Sequence, residues 1–562
     1  METQHSSPPA SPAAPAAEID IPVLLLLLAA FVLPGLIGRD PWKPDEGYFF
    51  GMVHSLLQGG DWLVPMLAGE PFMEKPPLIM WLGALCAKLT APILAPHDGA
   101  RLAVGLCMAT TLLAVGATAR RALGTGHGRI AALTLLTSLG ILLNSHMLIA
   151  DIPLMMGIAI ALCGFARILD QPIAGGVMLG CGAGAGFLAK GLLAPGVIGV
   201  AALLLPVVFR QWRKRNYLRG LAVAGAVALP WLVVWPALLY LRSPTLFAEW
   251  FWQNNIGRYL GYSVAQLGAT NDPGYWQRTL PWFAFPLWPL AAWSLWLKRH
   301  ALLARHLSPA LEASLLVLLV TLGVLTSSAS ARAIYALSLL PPLAILATPA
   351  LLQLSARANR SIDWAARLIA GGICLLLWYA WLLTLYSGAT PDWLQLTQHL
   401  PGNYPFAAAG IGMACALSLA VLWVLLMLRL KNIRSRGLVS WVAAVALLWG
   451  TVATLWFPWI DVGKSYRATF QELQAALPEQ RNCLTSHGLG ESERGLLHYF
   501  TGILTLRHEL HGDPGCDYVL VQSTVGEIPW WQQHGWQVLW RGNRPGDRRE
   551  RYWLFARPPV AN

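Results

Sequence analysis

Arg39-Asp40-Pro41-Trp42-Lys43-Pro44-Asp45-Glu46 and, further on, Glu70-Pro71-Phe72-Met73-Glu74-Lys75-Pro76-Pro77 are polar, proline-punctuated stretches in a chain that is 56% hydrophobic and only 12% charged. Charges placed against a bilayer are expensive, so acids and bases gathered beside apolar segments are expected to be there for chemistry. Their surroundings decide the fold class. A soluble chain of 562 residues would carry about twice this charged fraction. Apolar runs of roughly 17–25 residues, long enough to cross a bilayer as helix, recur throughout. The composition therefore predicts a polytopic α-helical membrane protein.

About thirteen spans are expected, at 21–38, 100–118, 129–145, 151–168, 173–189, 191–209, 219–240, 281–297, 309–326, 333–351, 365–387, 405–429 and 438–457. The segment 77–95 is apolar enough for a fourteenth span, but Lys88, Pro92 and the following Pro96 favour an interfacial helix. Residues 1–20, rich in Pro, Ala and Ser, lack the basic start of a signal peptide and are expected to be a disordered cytoplasmic tail. The net charge of +12 gives no case for nucleic acid, because the basic residues cluster in short loops between apolar runs. Arg120 and Arg121, Arg213 to Arg215, Lys298 and Arg299, Arg357 and Arg360, and Arg429 to Arg436 all follow even-numbered spans. By the positive-inside rule these loops are cytoplasmic, and so is the N-terminus. The segments 39–99 and 241–280 and the tail 458–562 then share the outer side of a body formed by residues 21–457.

The tail has a different composition. Tyr466–Leu477 reads as a helix and Cys516–Val521 as a strand, while 536–541 and 552–556 are expected to pair around a polar turn. These make a small α/β domain. Six of the eight cysteines lie in or beside spans and read as packing residues. Cys483 and Cys516 lie in the outer domain, where a disulfide persists if their geometry allows one.

With sides assigned, scattered charges fall at one membrane face. Asp45, Glu46, Glu74 and Lys75 are in the first outer loop, and Asp151 opens a span. Lys190 sits in an outer turn, Arg258 lies in the second outer loop, and Arg332 and Tyr335 open a later span. Together they outline a cavity for an anionic lipid. Lys and Arg would hold a phosphate, and carboxylates would position a hydroxyl, a sugar amine or a divalent metal. The aromatic-rich Trp250–Tyr262 would line a sugar pocket or a lipid groove. Plainer readings stand beside these. Asp45 and Glu46 suit a helix N-terminus, Glu74 and Lys75 suit an interfacial ion pair, Lys190 suits snorkelling to headgroups, Arg258 suits solvent, and Tyr335 suits an interfacial belt.

The order and spacing of Arg39–Glu46, Gly60-Asp61-Trp62-Leu63-Val64-Pro65 and Phe72–Pro77 resemble the first outer loop of the bacterial ArnT-like glycosyltransferases. That family is related to the protein mannosyltransferases within the GT-C fold. Asp151-Ile152-Pro153 resembles its second acidic motif, Lys190-Gly191 its Lys-Gly turn, and Ser330–Tyr335 its later basic-plus-tyrosine motif. The resemblance covers roughly residues 20–460. It implies transfer of a sugar from a polyprenyl-phosphate donor to an envelope acceptor at the periplasmic face of the bacterial inner membrane. In the lipid A enzymes that sugar is 4-amino-4-deoxy-L-arabinose and the acceptor a lipid A phosphate; a protein or another glycan is the alternative acceptor. Asp45 would be the catalytic carboxylate, and Lys75 and Arg258 would bind the donor phosphate. Glu46, Glu74, Asp151, Lys190, Arg332 and Tyr335 would shape the sugar and acceptor pocket. No cofactor is required by these motifs, although the acids leave room for a divalent metal. A lipid-sugar flippase without chemistry is the reading from another class, but it would need access from both faces. The chain departs from the family in two places. Gly47-Tyr48-Phe49 stands where Thr-Arg-Tyr is usual, losing a cation, and Arg332-Ala333 stands where lysines and a proline are usual. Both bear on the sugar and the acceptor, and neither touches Asp45 or Lys75.

Overall fold

The computed structural model describes residues 19–263, 270–388, 410–430 and 435–558. Nearly all of the expected disordered tail, and the first residues of the span expected at 405–429, lie outside them. The described chain is a helical body followed by a small sheet domain. Nine helices among the described residues are long and apolar enough to cross a membrane, from Pro96–Leu123 to the segment beginning at Arg436. The other four expected crossings coincide with shorter pieces. Ile21–Val32 and Leu193–Val208 are single helices of 12 and 16 residues. The segment 129–145 is broken into His127–Leu136 and Leu139–Asn144, and 281–297 into Tyr275–Phe283 and Leu287–Leu297. At 1.5 Å per residue each falls short of a hydrocarbon core of about 30 Å. Hydropathy reports apolar length and is blind to such breaks. Leu78–Thr90 is likewise a short helix, of 13 residues.

Helices Asp151–Ile168, Pro172–Lys190 and Arg215–Arg242 pack through small residues. A Cβ added to Gly157 would meet the Gly182 carbonyl at 2.6 Å, and one added to Gly164 the Gly175 carbonyl at 2.7 Å. On the opposite side, a Cβ on Gly176 would meet the Gly220 carbonyl at 2.4 Å. Between apolar helices in lipid, where water supplies no drive to associate, such backbone approach is what dispersion packing exploits. Helices Arg215–Arg242, Ala356–Ser387 and Gly410–Arg429 leave many large apolar side chains uncovered, among them Leu241, Leu375 and Ile411. An uncovered apolar surface on this scale belongs against lipid.

The C-terminal domain has a five-stranded sheet in the order Leu506–Arg507, Leu484–His487, Tyr518–Thr524, Glu550–Ala556, Gln537–Gly542. The expected helix forms as Arg467–Ala476, and the last two strands pair antiparallel with a bulge between Val538 and Trp540. Strand Leu484–His487 and helix Glu491–Thr501 were not legible in the sequence. Cys483 and Cys516 form a disulfide with Cα atoms 4.9 Å apart. Helix Glu491–Thr501 lies on helix Asp45–Leu57, where a Cβ on Gly51 would meet the Gly495 Cα at 2.9 Å and one on Gly47 would meet the Ser492 Cβ at 2.8 Å. Ser492 donates to the Pro44 carbonyl, Arg494 pairs with Glu70 at 2.8 Å, and Arg467 and Ser465 both bond Asp40. The domain and the first polar loop are thereby one packed unit.

Candidate functional site

Asp45 is the first residue of helix Asp45–Leu57, where its carboxylate could serve the positive helix end. Arg332 takes both its oxygens instead, donating to Oδ1 at 2.8 Å and Oδ2 at 2.6 Å. This planar two-bond geometry is what a guanidinium offers a carboxylate. Arg332 is placed by the turn before helix Ala333–Leu339. There Asn271 donates its side-chain amide to the Ser328 carbonyl at 2.7 Å, and Thr270 bridges to Ser330. Glu74 accepts from Lys75 at 2.7 Å and from Arg258 at 2.5 Å. Arg258 follows the widened helical stretch Glu249–Gly257, a distortion frequent at functional sites.

Asp151, in the first turn of its helix, pairs with Lys190 in the last turn of helix Pro172–Lys190. Gly191 closes that helix with φ +71°, and a Cβ there would overlap the Asn255 side chain at 1.9 Å. Only glycine meets both demands, which explains the Lys-Gly turn. The Lys190 ammonium sits 3.7 Å from the centroid of the Tyr335 ring. Lys190 therefore does not snorkel to headgroups, and Tyr335, 9% exposed, is not a belt residue.

These pairs form one electrostatic neighbourhood. Burial depresses the Lys75 ammonium, Glu74 raises it, and Arg258 and Asp151 also act on it. Burial alone would raise the Glu74 carboxyl, but Lys75 and Arg258 outweigh burial and hold it well below the ordinary range. Burial opposes the charge on Arg332, but Asp45 reverses this and raises its pKa. Asp45, Glu74, Lys75, Asp151, Lys190, Arg258, Arg332 and Tyr335 are thus brought together from five separated segments. Among the described residues Arg258 Nε is buried and has no hydrogen-bond partner. An unmet guanidinium N–H in such a place invites an anionic oxygen.

Glu46 is placed elsewhere. It is 1% exposed and enclosed by Arg39 and Arg101, with Arg101 Nε 2.8 Å and Arg39 Nη2 3.0 Å from Oε1. The backbone N–H groups of Trp42 and Leu148 donate to it at 3.1 and 3.2 Å. Burial opposes its charge, yet the two arginines bring its carboxyl down to about 2. It anchors the loop and has no open side for a ligand.

The acids leave no evident seat for a divalent metal, since Asp45, Glu74 and Asp151 are each already bonded to a cation. Among the described residues no group of three or more His, Cys, Asp or Glu side chains is arranged to hold one. Two residues that the sequence reading passed over do face the cluster. The phenol of Tyr48 is raised well above its ordinary range, by burial first and then by Glu74 and Asp45. Glu491, exposed at the rim, is pushed up to about 7 by desolvation against the site and by Glu74, with Arg494, Arg258 and Lys75 opposing. Its only sequence signal was an acidic first turn after Gly490 in a tail without motifs. The Gly47 departure also has a local reason, because the C-terminal domain's Ser492 fills the space a side chain would need.

Residues 74–238 match the family described as dolichyl-phosphate-mannose-protein mannosyltransferase. The chain is 28% identical over 368 residues to the undecaprenyl phosphate-alpha-4-amino-4-deoxy-L-arabinose arabinosyl transferase of Pseudomonas paraeruginosa, the match covering 63% of each chain. The Pseudomonas aeruginosa protein of the same name is 28% identical over 345 residues, or 59% of each chain. These matches span less than two thirds of the relatives' length. The crystal structure of ArnT from Cupriavidus metallidurans bound to undecaprenyl phosphate superposes with a TM-score of 0.67 at 19% identity, covering 95% of this chain and 97% of that one. The archaeal oligosaccharyltransferase AglB from Archaeoglobus fulgidus gives 0.52 at 11% identity, covering 89% and 68%. At these identities the structural likeness is one of fold.

Proposed function

We propose that this chain, ArnT-like in sequence and GT-C in fold, is an inverting glycosyltransferase that moves a sugar from a polyprenyl-phosphate donor to an envelope acceptor. The first candidate is aminoarabinose transferred to a lipid A phosphate, at the periplasmic face of the bacterial inner membrane. The N-terminus is then cytoplasmic and residues 458–562 periplasmic, with 21–457 as the catalytic body, in keeping with the loop charges. The observation that carries this reading is the convergence of a paired acid, Asp45, with Lys75, Lys190 and the unsatisfied Arg258 Nε. The relatives' names supply the donor and sugar class.

In this reading the donor phosphate sits against Lys75 and Arg258. An ammonium has three N–H donors and a guanidinium five, so both can keep Glu74 and still bond phosphate oxygens. They offset the charge that builds on the phosphate as the anomeric C–O bond breaks. The acceptor oxygen attacks that carbon from the opposite face, which inverts its configuration. An acceptor phosphate needs no base, and Asp45 then orients the sugar and stabilises its developing positive charge. For an acceptor hydroxyl, Asp45 takes the proton as general base. Arg332 holds the carboxylate until substrate competes for it. Displacement of the usual cation by Gly47 and Ser492 favours keeping the same chemistry on another sugar or acceptor as the second reading.

The test is mass spectrometry of lipid A and total envelope glycans from cells with and without the gene. An aminoarabinose mass shift on lipid A supports the first reading. An unchanged lipid A with another glycan altered selects the second, and no change in any glycan overturns both.

A further inference from the structure

The two faces of the C-terminal sheet are treated differently. One carries Leu484, Leu520, Tyr552 and Leu554 and is covered by helices Arg467–Ala476 and Glu491–Thr501, the second of which rests on the Asp45 helix. The opposite face carries Val519, Val521 and Phe555, with Trp531, Trp536 and Trp553 packed on them. Among the described residues its helical cover is two single turns, His508–His511 and Trp530–Gln533. A cavity of about 370 Å³ opens there, within the range of small-ligand pockets.

The lining of this cavity is of two kinds. Trp531 is 7% exposed and belongs to the domain core, but Trp530 is 55% exposed, with one ring face stacked on exposed His534 at 3.7 Å between centroids and the rest open. Trp536 lies beneath the Arg557 guanidinium, 5.0 Å from its ring centroid, and Arg557 pairs with Asp513 at 2.5 Å. The His508 ring is 5.6 Å from Trp531. Aromatic faces of different tilt thus stand beside an acceptor, a guanidinium donor and an imidazole that serves as either.

We propose that this face is a saccharide-binding site formed by Trp530, Trp531, Trp536, His508, Asp513 and Arg557. A pyranose ring has apolar C–H faces that pack on indoles and a rim of hydroxyls that both donate and accept. The paired Asp513 and Arg557 match that rim, with one group accepting and the other donating. A proline-rich peptide also packs on aromatic grooves, but it offers carbonyl acceptors and few donors, leaving Asp513 unmatched. The sheet separates this site from the Asp45 cluster, so its ligand is a glycan held apart from the reacting sugar.

Detergent-solubilised full-length protein is applied to an array of bacterial envelope oligosaccharides, with a proline-rich decapeptide as control. The wild-type chain retains at least one oligosaccharide and not the peptide, and Asp45→Asn binds as wild type does, whatever its transfer activity. Trp530→Ala weakens that binding by about tenfold or more at an unchanged melting temperature, while Trp536→Ala weakens it and also lowers the melting temperature, because that indole packs on the sheet. Asp513→Asn, an exposed position that leaves the indoles in place, weakens it less. Retention of no saccharide, retention of the peptide instead, or tryptophan and Asp513 variants that bind like wild type would each overturn the proposal.

Discussion

Asp45 and Glu46 are adjacent, both acidic and both buried, yet they belong to different clusters. Successive helical residues point about 100° apart. At the start of helix Asp45–Leu57 that rotation sends Asp45 toward Arg332, and Glu46 toward Arg39 and Arg101. Glu46 is saturated, with two guanidinium groups and two backbone N–H donors around one carboxylate. Among the described residues Asp45 has one side-chain partner, Arg332, which is 32% exposed. A buried carboxylate ringed by four donors holds structure, whereas one whose partner Arg332 reaches the surface is available to a ligand.

The largest expected effect tests the active half of that contrast. Asp45→Asn lowers transfer by about 10²–10⁴-fold, the range for losing a positioned catalytic carboxyl, with an unchanged melting temperature. Wild-type turnover in this variant would dissolve the distinction. Next, Glu46→Gln leaves two buried guanidiniums poorly compensated and destabilises the protein by about 3–5 kcal/mol, read by thermal or denaturant unfolding in detergent. Glu46 also predicts a pH dependence. Its folded pKa of about 2 lies below the ordinary 4.5, so its stabilisation is present above the ordinary value and is lost as pH falls from there toward 2. The Gln variant should lack that loss.

A smaller effect is expected at the phosphate-binding pair. Arg258→Ala raises KM for the polyprenyl-phosphate donor by about tenfold or more, consistent with a charge-assisted bond of roughly 1.5–3 kcal/mol. A change confined to kcat would assign Arg258 to the chemical step instead. The smallest effect is at Glu491, which is neutral below about 7 and negative above it. Its negative charge opposes a bound phosphate, so donor KM rises as pH passes upward through that value. Glu491→Gln should flatten the rise, and an identical profile in the variant would remove the residue from the site.

Much of the site was legible because charge is conspicuous against apolar sequence. Asp151, Lys190 and Arg332 stood out next to spans, and the proline-punctuated loop marked Asp45 and Lys75. The different fate of Glu46 was not legible, because its partner Arg101 lies at the start of an apolar helix and its other contacts are backbone N–H groups. The shorter helices were hidden for a related reason, since breaks such as Thr137–Ser138 and Ala284–Pro286 leave hydropathy nearly unchanged. Glu491 was missed because the docking of its helix depends on Gly47, Gly51 and Gly495, whose lack of side chains becomes informative only once the two helices touch.

The sequence by itself determined the membrane class, the polar loops and most of the chemical groups, because hydropathy and charge are local properties of each segment. The tertiary structure alone decided which acid meets which base, that the C-terminal domain seals the Asp45 helix, and that its far face carries an open tryptophan pocket. Those outcomes depend on contacts between residues hundreds of positions apart, whose geometry no local pattern encodes.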